Sequence, residues 1–173
     1  FTRGRSLDLP AGEEYHFVKK NVDEENVNSC VETFYQLGYI TDQRDRVLAE
    51  LVSQIIHEPF FDRLRTKEQL GYVVFSGIRQ TRTTFGLRLL IQSEKSTGYL
   101  LDRMSRFLVK IGHKLSSMDD KEFEKHVNAV ITKKLQKVKN LSEERSRFWD
   151  SIASGFYDFD KRELDVETLR TIK

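Results

Sequence analysis

Between Asp42 and Leu64 the apolar residues Val47, Leu48, Leu51, Val52, Ile55 and Ile56 recur at the offsets that trace one face of a 3.6-residue period. Thr41 or Asp42 can accept from the first free amides of such a helix. Pro59 lacks an N–H, which predicts a kink or restart near Glu58 with Pro59 in the first turn of the next segment. Phe60, Phe61 and Leu64 continue the apolar side, and Gly71 stands where a helix can end in the left-handed conformation. The period then changes to two. Tyr72 to Ile78 reads as a strand, and Phe85, Leu87, Leu89 and Ile91 alternate with Gly86, Arg88, Leu90 and Gln92 as another. Gln80-Thr81-Arg82-Thr83 joins them without an Asn-Gly pair, which predicts a hairpin with a loop longer than two residues.

Ahead of this block, residues 1–13 are polar, with Pro10 and Gly12, and read as an irregular lead-in. Tyr15-His16-Phe17-Val18 reads as a short strand and Cys30 to Leu37, rich in β-branched and aromatic residues, as a second. After it come three apolar stripes of helical period. The first runs from Leu100 to Leu115 and the second from Phe123 to Val138, the latter with Asp119 as cap, Glu122 as the reciprocal residue, and Met118 with Phe123 as a staple. The third carries Phe148, Trp149 and Ile152 behind a Ser142 cap, with Glu143 and Glu144 at the positive end of the dipole. A last helix is expected to begin near Asp165. The order β-β-α-β-β-α-α-α predicts an α+β fold, a two-layer sandwich whose mainly antiparallel sheet carries helices on one face. Residues 1–173 read as a single domain, with 160–173 as the start of a further helix.

Composition narrows the class. A hydrophobic share of 38% against 32% charged residues is that of a globular chain, not a disordered one. A net charge of +2 does not suggest nucleic acid. A single cysteine, Cys30, excludes an internal disulfide framework and suits a reducing, cytoplasmic setting; its strand position reads as a small buried hydrophobe. No run has the length of a membrane span. The chain begins at Phe1 without Met and stops inside a helix-like pattern at Lys173, so it is expected to be a piece of a longer polypeptide.

Self-contained metal chemistry is not expected. His16, His57, His113 and His126 include no pair three or four apart, and neither H-E-x-x-H nor H-x-x-E-H occurs. No G-x-S-x-G or glycine-rich phosphate loop is present. Two features carry chemistry. Arg65 and Tyr72 flank the helix-to-strand junction; a guanidinium can hold a carbonyl or carboxylate, and a phenol can donate to a developing oxyanion. From spacing alone, a cation at a helix C-terminus and an aromatic at a strand start is the commoner explanation. The second feature is Lys133, Lys134, Lys137 and Lys139, where a polyanion could dock, although such runs are more often a solvated helix face.

The run Phe60-Phe61-Asp62-Arg63-Leu64-Arg65-Thr66-Lys67-Glu68-Gln69-Leu70-Gly71-Tyr72-Val73-Val74-Phe75-Ser76-Gly77 resembles the C-terminal half of the insulinase, or pitrilysin-type, zinc metallopeptidases. So does Gly86-Leu87-Arg88 through Ile91-Gln92-Ser93-Glu94-Lys95, and the likeness extends over nearly the whole chain, with the fungal pheromone-processing branch among its nearer relatives. The resemblance implies four homologous α+β domains around a chamber, with zinc held by H-x-x-E-H in the first. This chain would be the fourth, non-catalytic domain. Arg65 would then help to hold the peptide and Tyr72 would hydrogen-bond the scissile carbonyl, while the N-terminal half of the same polypeptide supplies zinc. The resemblance also implies peptide substrates, a homodimer as one arrangement of the parent, and ATP or another polyanion at a segment matching Gln136 to Ser142, where Val138 and Asn140 stand in place of proline and lysine. The isolated chain is then expected to be inactive and to bind no catalytic zinc. An inactive structural module of the same fold and a polyanion-binding regulatory domain stay open as alternatives.

Overall fold

The computed structural model describes residues 6–172; residues 1–5 of the expected lead-in and Lys173 lie outside that range. Three strands form one antiparallel sheet in the order β1-β3-β2: β1 (Ser29–Tyr39), β2 (Val73–Gln80) and β3 (Thr84–Ser93). The central strand is β3, paired with β1 on one side and β2 on the other, and its alternation gives it one buried face. Phe85, Leu87, Leu89 and Ile91 all point to one buried face. The register places Val31 and Val74 opposite Ile91, which continues that face across the sheet. The β2–β3 connection, Thr81 to Thr83, is one residue longer than a two-residue turn, and Thr81 closes it through bonds with Thr84.

Five α-helices complete the fold: α1 (Gln43–Phe61), α2 (Thr97–Ser116), α3 (Asp120–Leu135), α4 (Leu141–Ser154) and α5 (Lys161–Thr171). Asp42 caps α1 by accepting from the Asp45 amide, and Asp119 caps α3 by accepting from Glu122. Ile56, Phe60 and Leu64 join Leu100, Met104, Phe107 and Ile111 of α2 over the buried sheet face. Phe60 and Phe107 meet edge to face at 5.1 Å. A second cluster joins Val47, Leu51 and Ile55 of α1 to Val127 and Val130 of α3 and Leu169 of α5. The fold is α+β, with an antiparallel sheet covered by helices on one face.

Several local expectations are corrected. Tyr15 to Val18 is not a strand; Phe17 and Val18 are about nine-tenths exposed, because a four-residue stretch without a sheet edge to pair with gains nothing from extension. Helix α1 runs through Pro59 and does not restart, since Phe60 is locked into the core and the helix continues beyond it as a π-helical turn, Asp62–Lys67. The α4 cap is Asn140, not Ser142, with the Asn140 side chain accepting from the Glu143 amide. Helix α5 begins at Lys161, four residues before Asp165. Cys30 is exposed on the uncovered sheet face, opposite Gln92.

Candidate functional site

The junction between α1 and β2 is wider than an ordinary helix end. The Glu68 amide donates to Arg63 O at 3.0 Å, a five-residue step, and the Leu70 amide donates to Leu64 O at 3.0 Å, a six-residue step. This is a helix C-terminal closure expanded by the π turn. The left-handed residue that makes it is Gln69, with φ of 51°, and not Gly71 as the sequence suggests. Gly71 is required for another reason: a Cβ there would lie 1.8 Å from the Gln92 carbonyl oxygen of β3. The Ser93 hydroxyl donates to the Leu70 carbonyl and accepts from the Lys95 amide, which pins the turn to the end of β3.

Charge pairing sorts the cations of the turn. Lys67 Nζ lies 2.6 Å from Asp62, and Arg63 Nε donates to Glu68 at 2.6 Å. Arg103 of α2 grips the same carboxylate through Nε at 2.8 Å and through a terminal nitrogen at 2.7 Å. That grip holds the Glu68 carboxyl below the usual carboxylate range; partial burial works the other way, and Arg63 adds to the lowering. Arg65, half-buried, instead lies over the Tyr72 ring at 5.6 Å. Tyr72 itself is 87% exposed. Phe61, expected in the core, stands nearly half exposed just before the π turn, since the core position is taken by Phe60. A cleft of about 310 Å³ lies beside Tyr72, between Gln69, Gly71, Gln92 and Lys95. Arg65 and Tyr72 are thus brought together, on a backbone held from three sides.

The lysines divide. Lys133, Lys137 and Lys139 line an open cleft of about 370 Å³. Lys134 also borders it, but its ammonium is committed to Glu50 at 2.5 Å and to the buried Asp165 at 2.9 Å. Asp165 also accepts from Arg46 at 2.6 Å, so the network ties α1, α3 and α5 together. Two cations that sequence reading did not find, Arg147 of α4 and Arg162 of α5, complete the cleft. Arg162 reaches the carbonyls of Lys134 and Gln136. Their only sequence signal is positive charge, and the chain must fold back twice to bring them to the lysines. A larger groove, about 880 Å³, lies under α4 and beside the β2–β3 loop; neither Arg65, Tyr72 nor any of the four lysines lines it. Among the described residues no group of three or more His, Cys, Asp or Glu side chains could hold a metal ion. Among the described residues no helix is long and apolar enough to cross a membrane.

Residues 51–149, more than half of the chain, match the family described as PQQ synthase PqqF-like, C-terminal lobe domain 4. The chain belongs to that family. This PqqF-like lobe domain is 40% identical over 168 residues to the insulin-degrading enzyme of Drosophila melanogaster, covering 97% of the chain and 17% of that protein. It is 41% identical over 170 residues to the A-factor-processing enzyme of Saccharomyces cerevisiae, covering 98% of the chain and 16% of the relative. In structure it resembles crystalline pitrilysin, with a TM-score of 0.74 and 30% identity over 85% of this chain and 16% of that one. The lobe domain therefore spans about a sixth of the length of the relatives it matches.

Proposed function

We propose that this lobe domain is the non-catalytic fourth domain of a zinc metalloendopeptidase, and that it lends Arg65 and Tyr72 to an active site completed by the N-terminal half of the same polypeptide. The observation that carries the reading is a large, exposed aromatic on a fixed turn: Tyr72 is 87% exposed while Gly71 and Leu70 beside it are locked against β3. A flexible loop would have to order Tyr72 at each turnover, whereas a preset donor does not. In this role the Tyr72 hydroxyl donates to the scissile carbonyl oxygen as negative charge develops there. Arg65, steadied over the Tyr72 ring, holds a carbonyl or carboxylate of the peptide. Zinc, held by the other half, would supply a Lewis acid and a water activated near neutral pH. Peptides are the substrate class, with pheromone-type peptides suggested by the name of the Saccharomyces cerevisiae relative.

The test uses the full-length parent and a peptide substrate. Tyr72→Phe is expected to lower kcat/KM by about 10²–10³, the usual loss for one oxyanion donor, and Arg65→Ala to raise KM. Unchanged kcat/KM in both variants overturns the assignment and favours an inactive structural module. The purified chain alone is expected to hydrolyse no peptide with added zinc, and hydrolysis would sink the proposal.

A second reading rests on a separate observation, the cleft where Lys133, Lys137, Lys139, Arg147 and Arg162 converge. It suits ATP or another polyanion as a regulator. Calorimetric titration of the parent with ATP is expected to show binding that weakens as salt rises. No heat at low salt removes this reading.

A further inference from the structure

The turn that presents Tyr72 is held at its centre by a carboxylate that lies between Arg65 and Tyr72 in sequence. Only 15% of the Glu68 side chain is exposed. Both of its oxygens are engaged: Arg103 donates to Oε2 through Nε and to Oε1 through a terminal nitrogen, and Arg63 donates to Oε1. The Arg103 contact is the informative one. Arg63 belongs to the same π turn, but Arg103 belongs to α2, 35 residues later, and α2 is fixed to the core by Leu100, Met104 and Phe107. The two-pronged geometry resists rotation as well as separation. The residues that follow are held by other partners. Gln69 keeps a left-handed backbone that a non-glycine residue adopts only when its surroundings impose it. Leu70 is held by Ser93 and Gly71 is pressed against Gln92. All the anchors converge on the four residues before Tyr72, whose own ring is exposed with Arg65 lying over it.

We infer that Glu68 and Arg103 are positioning residues for the Tyr72 donor: their pair sets the height and angle of the turn, and with it where the Tyr72 hydroxyl stands. The inference rests on the reading of Tyr72 as an oxyanion donor. The pair acts through the turn and touches no reacting atom. A preset donor is worth most when it needs no reorganisation, and a misplacement on the order of 1 Å can cost ~10²-fold in rate. An ion pair that merely stabilised the domain could sit anywhere between α1 and α2; this one grips the turn four residues before the exposed phenol.

A double-mutant cycle in the full-length parent decides it. Glu68→Gln keeps the shape and removes the charge. It is expected to lower kcat by about ten- to a hundredfold with KM little changed. Arg103→Lys keeps the charge and loses the fork, and is expected to fall between Glu68→Gln and the unaltered enzyme. The decisive readout is the combination with Tyr72→Phe. If Glu68 acts through Tyr72, Glu68→Gln/Tyr72→Phe is no slower than Tyr72→Phe alone. Losses that multiply, or a Glu68→Gln enzyme with full kcat, make the pair a structural contact and overturn the inference. Should Glu68→Gln fail to accumulate as folded protein, Arg103→Lys carries the same cycle. If Tyr72→Phe is itself silent, the underlying reading of Tyr72 fails, and a slow Glu68→Gln enzyme then reports a different dependence.

Discussion

The Arg65–Tyr72 turn and the Lys133–Asn140 segment both place cations at the surface, but they are built in opposite ways. The first is over-determined. Leu64 and Leu70 are buried, Glu68 is bound to α2, and Leu70 and Gly71 are fixed to β3. The second is tied down at its α3 end, where Lys134 meets Glu50 and Asp165 and Arg162 reaches the Gln136 carbonyl, but beyond Gln136 it hangs from few anchors. Helix α3 ends at Leu135, Glu143 accepts from the Lys139 amide, Asn140 caps α4, and α4 contains no buried residue. A hydrogen-bond donor to a reacting carbonyl works only at one position, so its backbone must be rigid. A polyanion feels a field, and Lys137 and Lys139, beyond the end of α3, add to one without fixed geometry. The difference in anchoring therefore follows the difference in proposed chemistry.

Breaking the foundation of one region should leave the other standing. The largest effect is expected from Asp165→Ala. Asp165 is 1% exposed and joins Arg46 and Lys134, so its removal leaves Arg46, only 6% exposed, without its carboxylate partner. Such a loss costs about 3–5 kcal/mol, read by urea unfolding, and it should be accompanied by weaker ATP binding because Lys134 and α5 frame the basic cleft. A cost below about 1 kcal/mol, typical of surface pairs, would show that the network is not the footing of that half. Gly71→Ala should do the reverse. The added methyl cannot coexist with the Gln92 carbonyl, so the turn must move. Overpacking of this kind costs about 1–3 kcal/mol, and peptide cleavage by the parent should fall while ATP binding is unchanged. Equal damage to both activities would mean that the two regions are coupled.

The sequence and the structure agree where short-range rules suffice. Asp42 and Asp119 cap the helices they were expected to cap, and the alternation from Phe85 to Ile91 marks the central strand. They part where a distant partner decides. The left-handed position moved from Gly71 to Gln69 because Leu70 bonds back to Leu64 and out to Ser93, contacts that no local propensity encodes. Gly71 is still indispensable, for close approach to β3 and not for positive φ. Lys134 looked like its neighbours until the fold set Asp165 beside it. Arg65 and Tyr72 stand out as residue types, but spacing alone fits an ordinary helix end; the family resemblance gives them more weight, and the fold leaves Tyr72 exposed on a clamped turn.

A smaller effect sharpens the contrast. Asn140→Ala removes the hydrogen bond to the Glu143 amide and should cost about 1 kcal/mol, with Asn140→Ser close to unaltered in thermal unfolding. The expected signature is a local one, early exchange of the first α4 amides, with the 62–72 turn still protected. Protection lost equally in both regions would contradict their independence.

The finest probe is pH, because Glu68 belongs to the clamped turn alone. Arg103 and Arg63 depress its folded pKa below the unfolded value, so between those two values the unfolded chain binds more protons and stability rises with pH. The stabilisation from Glu68 is complete above the unfolded carboxylate value and is lost as pH falls through the folded one. Glu68→Gln should therefore flatten part of the acid limb of the stability curve. In the unaltered chain, exchange protection of the Leu70 amide should fade with acid before that of the β3 centre, because the turn loses its grip on α2 while the strand keeps both neighbours. A Glu68→Gln chain whose acid limb matches the original would mean that the Arg103 contact contributes nothing in solution, and the rigidity assigned to the turn would then rest on the buried Leu64 and Leu70 and on Gly71 and Ser93.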